Sequence, residues 1–159
     1  MDEKRHIISI LVENEFGSLS RIAGLFSARG YNIHCLNVAP TNDESISRMT
    51  LVTFCNDQKI KQLAKQLDKL IDVIEVSEIT SNEHVEREIV FVKIEDKSID
   101  KKMMDNFSKN EFLKIHKTKN NEIIIECVDS PSKINEFLKS VKNIAVKIVR
   151  SGSVGINSN

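Results

Sequence analysis

The sequence predicts an α+β chain of two tandem ferredoxin-like βαββαβ units, each an antiparallel sheet carrying its helices on one face. Three observations predict it. Short runs rich in β-branched residues alternate with apolar stripes of helical period. The order strand, helix, strand, strand, helix, strand occurs twice within 159 residues. A polar stretch, Thr80-Ser81-Asn82-Glu83, separates the two occurrences and reads as a linker.

In the first unit, residues 1–80, IISILV at 7–12 is a strand. Leu19, Ile22, Ala23 and Phe26 then recur at i, i+3, i+4 and i+7, one face of a helix, and Gly30 stops it as a C′ glycine does. Residues 32–39 and 46–55 are strand formers, and the turn chemistry of Pro40-Thr41-Asn42-Asp43-Glu44-Ser45 joins them into a hairpin. Ile60, Leu63, Ala64, Leu67, Leu70 and Ile71 form the next helical stripe, with Asn56 or Asp57 placed to cap it. VIEVSEI at 73–79 is the closing strand.

The second unit, residues 81–159, repeats the order. IVFVKI (89–94) is a strand, and Ile99, Met103 and Phe107 suggest a helix. FLKIHKT and EIIIECV form a hairpin around Lys119-Asn120-Asn121. Ser130-Pro131 starts the second helix, with a serine cap and proline in the first turn, and Ile134, Phe137, Leu138 and Val141 give its stripe. AVKIVR closes the set.

One feature of the first strand goes beyond topology. Ile8, Ile10 and Val12 face one side and Ile7, Ser9 and Leu11 the other. If helices cover one side only, the other is too apolar for water. A cover is expected: the other domain, a second copy of the chain, or a different protein.

Composition narrows the function. Lys+Arg and Asp+Glu both number 23, so there is no basic surplus for phosphate contacts, which argues against nucleic acid and against an anionic membrane surface. No apolar run is long enough to span a bilayer, and MDEKRHII resembles neither a signal nor a transit peptide. Cys35, Cys55 and Cys127 are odd in number, far apart and set among apolar neighbours, so reduced thiols in a cytoplasm are expected rather than disulfides or zinc. His6, His34, His84 and His116 are dispersed, with no acidic or cysteine partner at ligand spacing, and no metal site is expected. No Ser-His-Asp set, P-loop or dinucleotide fingerprint is present, so no catalytic residue is expected. There is no Trp and one Tyr, which leaves an RNA-recognition sheet without stacking rings. Glu86, Arg87 and Glu88 read as linker-edge ion pairs or partner contacts, and Arg48 as reaching a rim or interface. Gly24 inside a helix suggests a close helix approach at a dimer interface.

The stretch ENEFGSLSRIAGLFSARGYNI (13–33) carries the candidate site. A helix N-terminus presents unpaired N–H groups and partial positive charge. Gly17 at the junction lets a ligand approach the main chain, and Asn14 on the same loop offers donor and acceptor. Asn32 follows the helix, which at about four turns is roughly 20 Å long, so one chain cannot bring both amides together. Two copies about a two-fold axis could. A carboxylate on the N–H groups, an ammonium on amide and main-chain oxygens, and an aliphatic remainder describe a free amino acid. Asn and Gly before a helix also serve simply as turn and cap, and the residues alone leave both readings open.

The segments SILVENEFGSLSRIAGLFSARGYNI, VAPTNDESISRMT, KQLDKLIDVIEVSEI and HVEREIVFVKI resemble the regulatory (small) subunit of acetohydroxyacid synthase, also called acetolactate synthase, through RSGSVGI near the end. The resemblance implies that the first unit is an ACT domain, a dimeric amino-acid sensor. It implies a valine site made of Asn14, Gly17 and Ser18, with Asn32 and Ile33 from a partner chain. It further implies a regulatory subunit with no catalysis of its own, which activates a catalytic large subunit and confers feedback inhibition on it in branched-chain amino acid biosynthesis. Thiamine diphosphate, Mg and FAD are expected in that partner and none in this chain. A stand-alone ACT-type sensor acting on a different partner is the alternative. The second unit has EDKSIDKK where the first has ENEFGSLS, without the Gly or Asn, so a second amino-acid site is not expected there.

Overall fold

A computed structural model describes residues 3–80, 82–118 and 122–158; Ser81 of the expected linker and the expected turn at Lys119-Asn120-Asn121 lie outside the described residues. The chain forms two compact units, Met1–Val85 with Ser153–Asn159, and Glu86–Gly152. The division drawn from sequence lay at 80/81 and gave the whole C-terminus to the second unit. Here the last residues count with the first.

The first unit runs β1 (Lys4–Glu13), α1 (Ser18–Ala28), β2 (Cys35–Pro40), β3 (Ile46–Cys55), α2 (Asp57–Leu67) and β4 (Val73–Glu78), in sheet order β2-β3-β1-β4. This is the expected βαββαβ order. β1 pairs antiparallel with β3, setting Ile8 against Leu51 and Ile10 against Met49. A period of two therefore sends these four to one face, where they are buried with Ile22, Leu25 and Phe26 of α1 and Ile60, Leu63 and Leu67 of α2. Burying each such side chain contributes about 1.5–3 kcal/mol, offset by the entropy of ordering it.

The helix ends explain themselves. Asn56 is the cap of α2, its Oδ1 accepting from the Lys59 N–H at 2.8 Å, and Asp57 is the first helical residue. The stripe expected to continue through Ile71 stops at Leu67. Leu70 still packs on the core, but Ile71 lies past the last turn and is 88% exposed. Gly30 closes α1 with φ +67 as expected. Gly24 is exposed, with no atom of this chain within 4 Å of a Cβ placed there.

The second face of this sheet is covered as well. Ile7, Val52 and Ile79 are fully buried there, with Cys35 packed beside them. The cover is the chain's own C-terminal segment, which the sequence division had given to the other domain, one of the three expected occupants. The Ser153 N–H donates to Cys35 Sγ at 3.1 Å, and Arg5 Nη2 donates to Ser153 Oγ at 3.3 Å. Gly155 lies so close that a Cβ would stand 2.9 Å from Ile79 Cδ1. Glycine is what allows that approach. Arg48 donates to Ser9 Oγ at 2.9 Å on the same face.

The second unit is built from β5 (His84–Glu95), a 3-10 turn (Asp96–Ser98), α3 (Lys101–Lys109), β6 (Leu113–Lys117), β7 (Glu122–Asp129), α4 (Pro131–Val141) and β8 (Ala145–Asn157). Sheet order is β6-β7-β5-β8, again the expected topology. Val90, Val92 and Ile94 of β5 lie opposite Cys127, Ile125 and Ile123 of β7 and make its core with Ile134 and Val141 of α4. Pro131 opens α4, but the Ser130 side chain makes no cap bond. Its hydroxyl meets Ser132 instead, at 3.1 Å. Glu88 is buried and takes Arg150 in a two-pronged pair, Nε at 2.6 Å and Nη2 at 2.7 Å. The charged string at 84–88 is thus partly internal to this unit.

Candidate ligand-binding site

The loop after β1 is held from both sides. The Glu13 N–H donates to the Asp72 carbonyl at 2.8 Å and the Asn14 N–H to the Ser45 carbonyl at 2.7 Å. The Asn14 amide donates to the Glu44 carbonyl at 2.8 Å, and its oxygen accepts from Ser47 Oγ at 3.1 Å. Asn14 therefore ties the β1–α1 loop to the β2–β3 turn, where Asp43 is held below the usual carboxylate range by the hydroxyl and N–H of Ser45. An amide keeps one further N–H and one further lone pair after two such bonds.

Gly17 stands at the helix start with φ +93, a left-handed conformation that favours glycine. No side chain caps α1 and no acid lies in its first turn. Ser18 is buried at 3% exposure, and its hydroxyl has no hydrogen-bond partner among the described residues. One turn on, the Arg21 guanidinium folds back beside Gly17, where a Cβ would stand 3.0 Å from its Nη1. Its Nε donates to the carboxylate of Asp72, which is buried. Sequence reading missed both partners. Arg21 had a signal, since it lies one turn from Gly17 on the same helix face; Asp72 had none.

Asn14 lies on the loop that leads from β1 to α1, and Gly17 and Ser18 at the start of that helix. The structure places Asn32 and Ile33 elsewhere, past the far end of α1. That helix has 11 residues, about three turns and about 16 Å, one turn shorter than expected. Asn32 is exposed ahead of β2, its carbonyl accepting from Thr53 Oγ1 at 2.7 Å. It lines a pocket of about 210 Å³ with Tyr31, Phe54, Cys55 and Lys59. Ile33 is half-buried against the first core.

Burial pushes the Cys127 thiol up to about 11, so its thiolate is scarce at neutral pH, and burial raises Cys55 too. No group of three or more His, Cys, Asp or Glu is placed to hold a metal among the described residues. Among the described residues, no helix is long and apolar enough to cross a membrane.

Comparison with known proteins fits this geometry. Residues 8–75 match the AHAS small subunit-like ACT domain, and residues 87–159 match the small subunit of acetolactate synthase. The chain is 41% identical over 157 residues to the acetolactate synthase small subunit of Buchnera aphidicola subsp. Schizaphis graminum, covering 96% of this chain and 98% of that one. The chain belongs to the acetolactate synthase small-subunit family. Isozyme 3 small subunit of Escherichia coli is likewise 41% identical, over 96% of this chain and 95% of its own. The crystal structure of the acetolactate synthase small subunit from Thermotoga maritima superposes with a TM-score of 0.84 at 28% identity, covering 98% of each chain. The ACT match includes Asn14, Gly17, Ser18, Asn32 and Ile33, so the candidate site lies inside the small subunit's ACT domain.

Proposed function

We propose that this small subunit binds valine, or a closely related branched-chain amino acid, at a site completed by a second copy of the chain. The reading rests on one observation: α1 starts on a left-handed glycine without cap or first-turn acid, beside a buried serine hydroxyl with no partner among the described residues. The free carboxylate of an amino acid would take those N–H groups and the Ser18 hydroxyl. Its ammonium would take the remaining amide oxygen capacity of Asn14 and of Asn32 from the partner. Ile33 of that partner would meet the aliphatic side chain. The homodimer is part of this proposal.

Through that site the subunit would control a thiamine-diphosphate-dependent catalytic large subunit, activating it and conferring feedback inhibition. Control of this kind needs differential binding worth about 1–3 kcal/mol between two states of the assembly. Micromolar affinity needs about 8 kcal/mol, within reach of a small zwitterion satisfied at both ends. Valine, leucine and isoleucine differ by single methylenes, each worth about 1–3 kcal/mol in a fitted pocket.

Calorimetry of the full chain with each of the three amino acids tests the binding, and sedimentation of the same sample tests the dimer. Saturable binding to a dimer is expected, together with valine-sensitive stimulation when a catalytic subunit is added. A monomer giving no heat with any of the three would end the reading.

A further inference from the structure

We propose that a groove on the first unit, between β1, the end of β4 and helix α2, is a second binding site, for a small organic anion: a carboxylate or phosphate on a short apolar body. The groove encloses about 710 Å³, a size ordinary for small-molecule sites. None of Asn14, Gly17, Ser18, Asn32 or Ile33 lines it.

Its lining is sorted by chemistry. Ile60 and Ala64, one turn apart on α2, make an apolar floor, and Lys61 and Lys65 stand beside them at the same spacing. Lys4 comes from β1, so three basic side chains meet two carboxylates, Asp57 and Glu78, while Arg5 lines the groove but sends its guanidinium to Ser153 on the other face of the sheet. In a chain of zero formal charge this is a local positive surplus. Both carboxylates are engaged. Asp57 accepts from Lys4 Nζ at 2.7 Å, and Glu78 accepts from the Thr80 N–H at 3.2 Å. Lys61 and Lys65 make no hydrogen bond or ion pair with any described residue.

The second observation is His6. It is 5% exposed, lines the groove, and its Nε2 is buried without a hydrogen-bond partner. Its other nitrogen, Nδ1, faces Glu78 Oε1 at 3.5 Å, while Nε2 stands 3.7 Å from Asp57 Oδ1, beyond hydrogen-bond reach. Buried ring nitrogens are ordinarily paired, so this one points to a missing partner. An incoming oxyanion that accepts from Nε2 would be that partner. That oxyanion would draw Lys61 and Lys65 over it, and the apolar remainder would lie on Ile60 and Ala64. Inorganic phosphate would satisfy the charges and leave the floor unused.

The test is a nuclear magnetic resonance titration of the full, isotope-labelled chain with phenyl phosphate, hexanoate and inorganic phosphate. Saturable shifts are expected at the amides of His6 and of residues 60–65 with at least one of the two organic probes, which also assigns the head group. Inorganic phosphate should bind more weakly. Replacing Lys61→Gln and Lys65→Gln together should weaken the organic probe by about tenfold or more, and neither side chain is buried, so the fold survives. His6→Asn should weaken it too. Gly17→Asp should leave it unchanged, which separates this site from the valine proposal. No saturable shift up to about 10 mM, unchanged affinity in the double lysine variant, or phosphate binding as tightly as the organic probes would overturn it.

Discussion

Helices α1 and α3 hold the same place in their units and begin in opposite ways. Before α1 stands Gly17, with no side-chain cap and no acid in the first turn. Before α3 stands Asp100, whose carboxylate accepts from the Met103 N–H at 2.7 Å. The aspartate uses an N–H that a ligand would need and sets a negative charge on the positive helix end. An incoming carboxylate meets repulsion there. α1 leaves that place open and puts Arg21 beside it. One topology thus gives an uncapped helix end and a capped one, and the difference lies in a single position ahead of each helix. The two also differ in anchorage: α1 buries four residues and α3 none fully.

The comparison breaks most easily at Gly17. Gly17→Asp copies the capped end into the uncapped one, forces a side chain into φ +93, and sets a Cβ 3.0 Å from Arg21 Nη1. Valine affinity should fall about a hundredfold, equivalent to about 2.7 kcal/mol, as read by calorimetry. Unchanged affinity would show that the helix end is not the receptor. Asn14→Ala removes the side-chain bonds to Glu44 and Ser47 and leaves the main-chain bond to Ser45. It should cost about tenfold in valine affinity, with hydrogen exchange rising at residues 41–46. Asp100→Ala should destabilise the second unit by about 1 kcal/mol in denaturant unfolding and leave valine binding untouched. The smallest effect is expected at Ser18. Because its hydroxyl has no partner among the described residues, Ser18→Ala should change the stability of the free protein by no more than about 0.5 kcal/mol while weakening valine severalfold. A large loss of stability would mean that the hydroxyl serves the fold.

Local signals made most of this fold readable. The stripe of α2, the Asn56 cap, the Gly30 stop and Pro131 at the start of α4 each follow from residues within a turn or two of one another. What escaped depends on distance along the chain. Arg21 and Asp72 are 51 residues apart, and Ser153 and Cys35 are 118 apart. No periodicity reports such meetings. Ile71 continued a stripe in sequence after the helix had stopped. The return of the segment from Ser153 onward to the first unit was hidden because it reads as the end of an ordinary strand, and only Gly155, where a Cβ would crowd Ile79, hints at the close packing. Of the candidate site, the helix end was legible from Gly17 and Asn14. The tying of Asn14 to the turn was not, since the same residues suit a ligand contact or a loop brace.

The segment 153–158 gives the molecule an order of assembly. When β1, β3 and the end of β4 leave the ribosome, the sheet bearing Ile7, Val52 and Ile79 is complete on one side and bare on the other. Residues Glu86–Gly152 must be synthesised before the strip that shields them exists. Until then the nascent chain offers a sticky aliphatic surface, a liability for association with neighbours and a natural foothold for a chaperone.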